Sequence, residues 1–322
     1  MEKTWMSKWM LFIVVLTVTT SVVAEDRTIA VTFDDLPFVM VTATEPELLA
    51  SKTEQLVQCL MRESIPAVGF VNEGALYRDG RLQLDRVEVL ANWLEAGFEL
   101  GNHTHSHVSL NQVPLDTFLE EVIRGEEVIR PLSAKFGRKV RWFRHPFLHL
   151  GADQRTRDES NSRLTELGYA VAPVTINSAE WLFAAAYARA RDQDDVALQD
   201  RIGSAYVDYM LEVVQQAEEM AKRLFARRIA HVLLVHANVL NADYFCTLAA
   251  ALKRQGYRFV SIDEALQDNA YASRLPDRQL EGYSWLERWA RAVGFPSVRR
   301  VAVPDFVTRS AASVAGPKAE SK

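Results

Sequence analysis

A chain of 322 residues with 48% hydrophobic and 25% charged residues has ordinary globular composition, which excludes wholesale disorder and leaves room for one large domain or two small ones. Its 37 Lys+Arg against 42 Asp+Glu give a net charge of −5, which argues against a protein built to hold nucleic acid.

The first 24 residues read as a Sec-type signal peptide: Lys3 and Lys8 form a positive start, Leu11 to Val23 an apolar core, and Val22-Val23-Ala24 a small-residue cleavage site. That apolar run is short for a membrane span, and no second one follows. The expectation is cleavage after Ala24 and a mature chain with no membrane span, secreted or periplasmic. The chain then alternates apolar runs with amphipathic stretches. Thr28 to Phe33 reads as a buried strand, and Thr44-Glu-Pro-Glu47 as a capping box opening a helix to about Glu63. Ala67 to Val71 is a strand, Asp85 to Ala96 a helix stopped by Gly97, and Phe98 to Gly101 a strand. Pro114 to Phe136 is mostly helical, Val140 to Phe143 a strand, Ala152 to Leu167 mainly helix and Tyr169 to Thr175 a strand. A long helical insertion, split near Asp192 to Asp195, breaks the rhythm before strand Ala230 to Val235, helix Ala242 to Gln255 and strand Tyr257 to Ser261. Such alternation implies a largely parallel sheet covered by helices, and seven βα units suggest a barrel. Beyond Asp268, Tyr283 to Val293 is expected as a surface helix whose Trp285 and Trp289, at spacing four, make a packed face. Ser310 to Lys322 is small, polar and expected to be disordered. Cys59 and Cys246 are the two cysteines; export would permit a bridge between them, and two buried thiols fit the sequence equally well.

Functional groups of βα barrels collect at the C-terminal ends of strands, and here nearly every strand ends in something polar. Asp34-Asp35 closes the first, Asn102-His103-Thr104-His105-Ser106-His107 follows the third, Arg144-His145-Pro146-Phe147 the fourth, Asn177-Ser-Ala-Glu180-Trp181 the fifth, and His236 the sixth. Asp35, His103 and His107 form a two-histidine, one-carboxylate set that leaves coordination positions open, as a hydrolytic metal site requires. A spacing of four lets the two imidazoles face one point if the chain makes a helical turn. Asp34 would stay free to take a proton, kept ionised by a guanidinium for which Arg144 is the candidate. His236 would protonate a leaving group, its pKa raised by Glu180.

These blocks resemble the five ordered motifs of the polysaccharide deacetylase family, the NodB-homology domain of carbohydrate esterase family 4: Thr32-Phe33-Asp34-Asp35, His103 to His107, Arg144-His145-Pro146-Phe147, Asn177 to Trp181, and Leu233-Leu234-Val235-His236. The resemblance spans about residues 28 to 265 and implies an α/β fold, a distorted (β/α)7 barrel with a helical insertion. With the N-terminal reading, the chain is expected to comprise a signal peptide (1–24), a deacetylase-like barrel (25–270, insertion 182–228) and a C-terminal extension (271–322). Together they imply an exported, metal-dependent hydrolase removing N-acetyl or O-acetyl groups from a carbohydrate such as peptidoglycan or a chitin-like glycan. The alternatives are a hydrolase of other linear or cyclic amides, and an inactive carbohydrate-binding protein on the same barrel. By the family pattern Asp35, His103 and His107 bind a divalent metal, zinc ahead of cobalt or manganese. Asp34 is the general base, Arg144 orients it, and His236 is the general acid tuned by Glu180. A main-chain N–H near Phe147 stabilises the oxyanion, Phe147 lies at the substrate, and Trp181 contacts the acetyl methyl or sugar face. Three departures stand out: Leu36-Pro37 replaces the usual glycine after the first motif, Asn177 and Glu180 replace aspartates in the fourth, and the insertion lies outside the family's minimal core. That insertion would lid the groove, pack as a helical hairpin or make an oligomer contact. His105 is expected to point away from the metal, and His145 and His149 to be groove or surface residues.

Overall fold

The structure is a computed structural model that describes residues 27–39, 46–277, 280–296 and 299–312. The signal-peptide segment, the Thr44 capping position and residues 313–322 lie outside the described residues. In chain order the elements are β1 (Arg27–Leu36), α1 (Pro46–Arg62), β2 (Ala67–Val71), a small hairpin of β3 (Tyr77–Arg78) and β4 (Arg81–Leu82), α2 (Leu84–Glu95), β5 (Glu99–Asn102), α3 (Leu115–Arg124), α4 (Ile129–Lys135) and β6 (Trp142–Phe143). There follow α5 (Gln154–Glu166), β7 (Ala170–Val171), α6 (Glu180–Asp192), α7 (Val196–Phe225), β8 (His231–His236), α8 (Val239–Arg254), β9 (Tyr257–Val260), α9 (Ile262–Ala265), α10 (Trp285–Ala292) and α11 (Asp305–Ala312).

All pairings in the main sheet are parallel, in the order β7-β6-β5-β2-β1-β8, with β9 on the N-terminal half of β1. The chain just after β7 bends onto β8: Thr175 and Ile176 donate to the Val232 carbonyl, and Leu234 N–H donates to Ile176. That contact curls the sheet into an α/β barrel of the (β/α)7 kind, as the alternation of the sequence implies. A central parallel strand is buried on both faces, and the period of two sorts β1 accordingly. Ile29, Val31 and Phe33 pack outward among the helices. Ala30 faces the barrel interior with Val68, Phe70, Val232 and Val260, and Thr32 and Asp34 continue that inner row toward the C-terminal end.

Where β1 ends, its register against β2 slips: Phe33 lies opposite Gly69, but Leu36 opposite Val71, so one extra residue is accommodated at Asp34-Asp35. Asp35 takes a left-handed φ of 63° there. A bulge of this kind re-aims the side chains around it. Leu36 then folds back over β2, and Gly69 makes room for it, since a Cβ at 69 would sit 2.5 Å from a Leu36 methyl.

The insertion is an antiparallel pair, α6 and α7, packed against the barrel and α8. Gly203 lets α7 close on Tyr244 of α8, whose ring would lie 2.1 Å from a Cβ at 203. The C-terminal extension corrects the surface-helix expectation. In α10, Leu286, Arg288 and Trp289 are buried, and Trp289 packs edge-on against Phe225 and Tyr271. Trp285 N–H donates to the Val174 carbonyl, and Arg288 to that of Leu148, so the extension is stitched to the barrel mouth. The expected disorder from Ser310 is also corrected at its start, because α11 runs to Ala312 with Val307 and Ala311 buried.

Cys59 on α1 and Cys246 on α8 are joined in a disulfide spanning 187 residues. Closing so long a loop in the unfolded chain is worth about 3–5 kcal/mol. Cys59→Ala with Cys246→Ala should therefore lower the unfolding midpoint by several degrees while leaving the folded far-UV spectrum intact; a calorimetric scan reads the difference.

Candidate active site

Parallel register sets the strand ends side by side. Asp34 lies opposite His236 across β1 and β8, Val71 opposite Asn102, and Asn102 opposite Phe143. The residues that follow each strand therefore open onto one cavity of about 730 Å³ at the C-terminal end of the barrel.

Asp35, His103 and His107 converge there, their ligand atoms all within 4.8 Å of one another. Asp35 Oδ1 lies 3.6 Å from His103 Nε2 and 3.5 Å from His107 Nε2. The expected helical turn between the histidines does not form. They sit on a loop in which Thr104 and His107 have left-handed φ of 68° and 55°, and the rings meet with centroids 4.9 Å apart. Strained non-glycine backbone of this kind persists where surrounding contacts over-determine it. Here Asn102 accepts from Thr104 N–H, and Glu121 accepts from the N–H groups of His105 and Ser106.

The donor set suits a divalent cation. His103 Nδ1–H donates to the Arg144 carbonyl at 2.7 Å, which fixes the tautomer and turns the Nε2 lone pair toward Asp35. Burial, reinforced by neighbouring His103, pushes His107 down to about 4, so its imidazole is neutral and ready to ligate at neutral pH. Burial pushes Asp35 upward, but His103, His236, His107 and a 2.6 Å hydrogen bond from Asn72 Nδ2 outweigh it and hold the carboxyl below its usual range.

The neighbouring Asp34 is 3% exposed and meets Arg144 through both oxygens, at 3.3 and 3.4 Å. Arg144 is itself buried, held by the Ala172 carbonyl and Thr32 Oγ1 and laid over the Phe70 ring. Asp34 Oδ2 is 3.8 Å from His103 Nε2, so the bulge brings both aspartates to the same place. On the far side His236 Nδ1 donates to Glu180 Oε2 at 2.7 Å. Burial would depress His236, yet the Glu180 carboxylate, with Asp35 and Asp34 behind it, raises it to about 9. The longer glutamate arm thus reaches the histidine. Its other oxygen accepts from Asn238 and Asn241, and Asn241 in turn accepts from buried Tyr206 of α7.

Phe147, with a left-handed φ of 59°, exposes half its ring beside His107, and Trp181 is likewise half-exposed on the cavity wall. His105 turns away toward Ser106, Arg124 and Tyr77. His149 lines the cavity 2.8 Å from Ser109 Oγ. The groove assignment of His145 is corrected: it is 1% exposed, between Phe118 and Phe143, and burial pushes it down to about 3. Asn177 donates to the Gly282 carbonyl. The sequence pattern gave Thr32 no role of its own and did not mark Asn72 or the Asn238–Asn241–Tyr206 chain. The N-cap place of Asn238 and the strand-end place of Asn72 were their only signals.

Residues 21–172 match the family model of the polysaccharide deacetylases. No curated protein matches the sequence. Among solved structures, BA3943, a CE4 family pseudoenzyme from Bacillus anthracis, is 16% identical over 79% of this chain and 67% of its own, with a TM-score of 0.51. A BA3943 mutant described as having restored enzymatic activity superposes equally well, at 16% identity over 79% of this chain and 70% of its own. The peptidoglycan deacetylase PdaC from Bacillus subtilis is 21% identical over 75% of this chain and 91% of its own, with a TM-score of 0.48. The BA3943 likeness shows the shared α/β barrel; a pseudoenzyme and its reactivated mutant share that fold, so activity is a question for the residues of the site.

Proposed function

From the match of residues 21–172 to the polysaccharide deacetylase family model and from the geometry of the site, we propose that the protein is an exported, metal-dependent hydrolase that removes acetyl groups from a carbohydrate, N-acetyl ahead of O-acetyl. The observation that carries the reading is that Asp34 and His236 face each other in register, with the Asp35–His103–His107 cluster beside them in one cavity. A proton acceptor, a cation site and a proton donor in that order are what acyl transfer to water needs.

Asp35, His103 and His107 would hold a divalent cation, zinc ahead of cobalt or manganese, which when bound would supply Lewis acidity toward the acyl carbonyl and the attacking water. Asp34, positioned by Arg144, takes the proton from the attacking water. The Phe147 main-chain N–H donates to the developing oxyanion, Trp181 walls the acyl group, and His236 gives its proton to the departing nitrogen or oxygen. The Glu180–His236 pair lies outside the matched residues, so its support is geometric. Export is supported by the N-terminal pattern and by the Cys59–Cys246 bridge, which persists in oxidising compartments. No helix of the described residues is long and apolar enough to cross a membrane. The inactive-binder alternative is disfavoured because the acceptor, cluster and donor positions are all filled.

The pH profile tests the Glu180 role. His236 must be protonated to act, and with a pKa of about 9 it stays so through neutral pH, rate falling only as pH rises past that value. In Glu180→Gln the largest raising influence is gone and burial is opposed only by Asp35 and Asp34, so the alkaline limb should move to lower pH. An unchanged limb removes Glu180 from this role. The substrate class is tested by acetate release from peptidoglycan, chitin oligomers and acetylated xylan. Release from the first two supports amide cleavage, release from xylan alone supports ester cleavage, and release from none of them by metal-loaded protein contradicts the reading.

A further inference from the structure

The cavity reaches well past the space an acetyl group needs, and the insertion and extension make its far wall. Leu234 and Ile176, beside the catalytic cluster, line the same cavity as Val213, Ala217 and Met220 of α7 and Leu286 of α10. Polar groups on that wall are largely committed within the protein. Asn177 donates to the Gly282 carbonyl, Gln216 to that of Arg299, and Arg300 to Glu287 and Gly282. Tyr209 Oη accepts from Ala179 N–H, and Ser284 caps α10. A wall that presents mostly carbon and keeps its amide and guanidinium donors occupied is poorly suited to a sugar ring, whose hydroxyls each need a partner when buried. Because it lines the same cavity as the catalytic cluster, the part of an acylated sugar that suits it is the acyl chain.

We infer that the site also accepts, and prefers, acyl groups longer than acetyl: a medium-length, unbranched chain lies along the apolar face of α7, with the sugar at the cavity mouth. This rests on the reading of the site as a metal-dependent deacylating hydrolase. The bond broken is the same acyl C–N or C–O bond, water supplies the OH of the released carboxylic acid, and His236 supplies the proton of the released amine or alcohol, so chain length changes recognition alone. A volume near 730 Å³ lies within the range of cavities that enclose compact ligands, and α7 is anchored to the proton donor through Tyr206, Asn241 and Glu180.

The test is kcat/KM of the metal-loaded protein for glucosamine N-acylated with two, four and eight carbons, read as free amine, with the matching 4-nitrophenyl esters as a second series. Added methylenes in an apolar pocket are worth about tenfold or more, so kcat/KM should rise at least about tenfold from two carbons to eight. Met220→Trp, at a half-buried position, and Ala217→Phe each intrude on the chain's path. Each should lower the eight-to-two-carbon ratio by about tenfold, with the melting temperature reporting on folding. A flat or falling series in the wild type overturns the inference and leaves the hydrolase reading standing. A rising series whose ratio survives both substitutions in folded protein also overturns it, because the chain then lies elsewhere. Hydrolysis at no chain length in either series overturns both.

Discussion

Asp34→Asn should retain stoichiometric metal and lose turnover by roughly 10²–10⁴-fold, the usual worth of a positioned proton acceptor. The side chain is 3% exposed and its shape is preserved by the substitution, so the space it fills in the barrel is kept. What is lost is the ability to accept a proton 3.8 Å from the His103 ligand atom. The substitution also leaves the buried Arg144 guanidinium without its anionic partner, and breaking a buried pair costs about 3–5 kcal/mol, so a lowered melting temperature is part of the expected result. Elemental analysis beside steady-state kinetics separates the effects. Near-normal turnover with metal bound would show that another group takes the proton.

Asp35→Ala and His107→Ala should each fail together in two measurements, metal content and rate. Each removes one of three converging donors, and losing a Lewis acid worth several kcal/mol corresponds to a fall of roughly 10³-fold or more. His105→Ala is the control two residues away. Its ring points to Arg124 and Tyr77, so metal content should stay at the wild-type level. Metal binding that survives both ligand substitutions would place the cation elsewhere.

The strands were legible because parallel strands buried on both faces leave unbroken apolar runs, and β2 starts and stops where its run does. The polar residues at those run ends were legible for the same reason: in a parallel barrel they must share one face. Side-chain direction was less so. Adjacent Asp34 and Asp35 carry no mark of the bulge that turns both into the cavity, and His103 to His107 carry the spacing of a helical turn that left-handed residues replace. His145 sits in a polar-looking stretch, yet its place behind the site is decided by Phe118 and Phe143, which reach it from other elements. The partner of an apolar helix face is a tertiary fact. The sequence placed α7 only within a helical insertion, whereas the cavity it walls is set by the barrel mouth and α10.

If Asp35, His103 and His107 hold the cation on which hydrolysis depends, acyl release measured before chelation, after chelation and after one equivalent of zinc, cobalt or manganese is returned will follow the metal. Release should stop on chelation and recover in step with the metal restored, in the wild type but not in His107→Ala. Release that continues unchanged in protein shown to be free of metal would contradict that dependence.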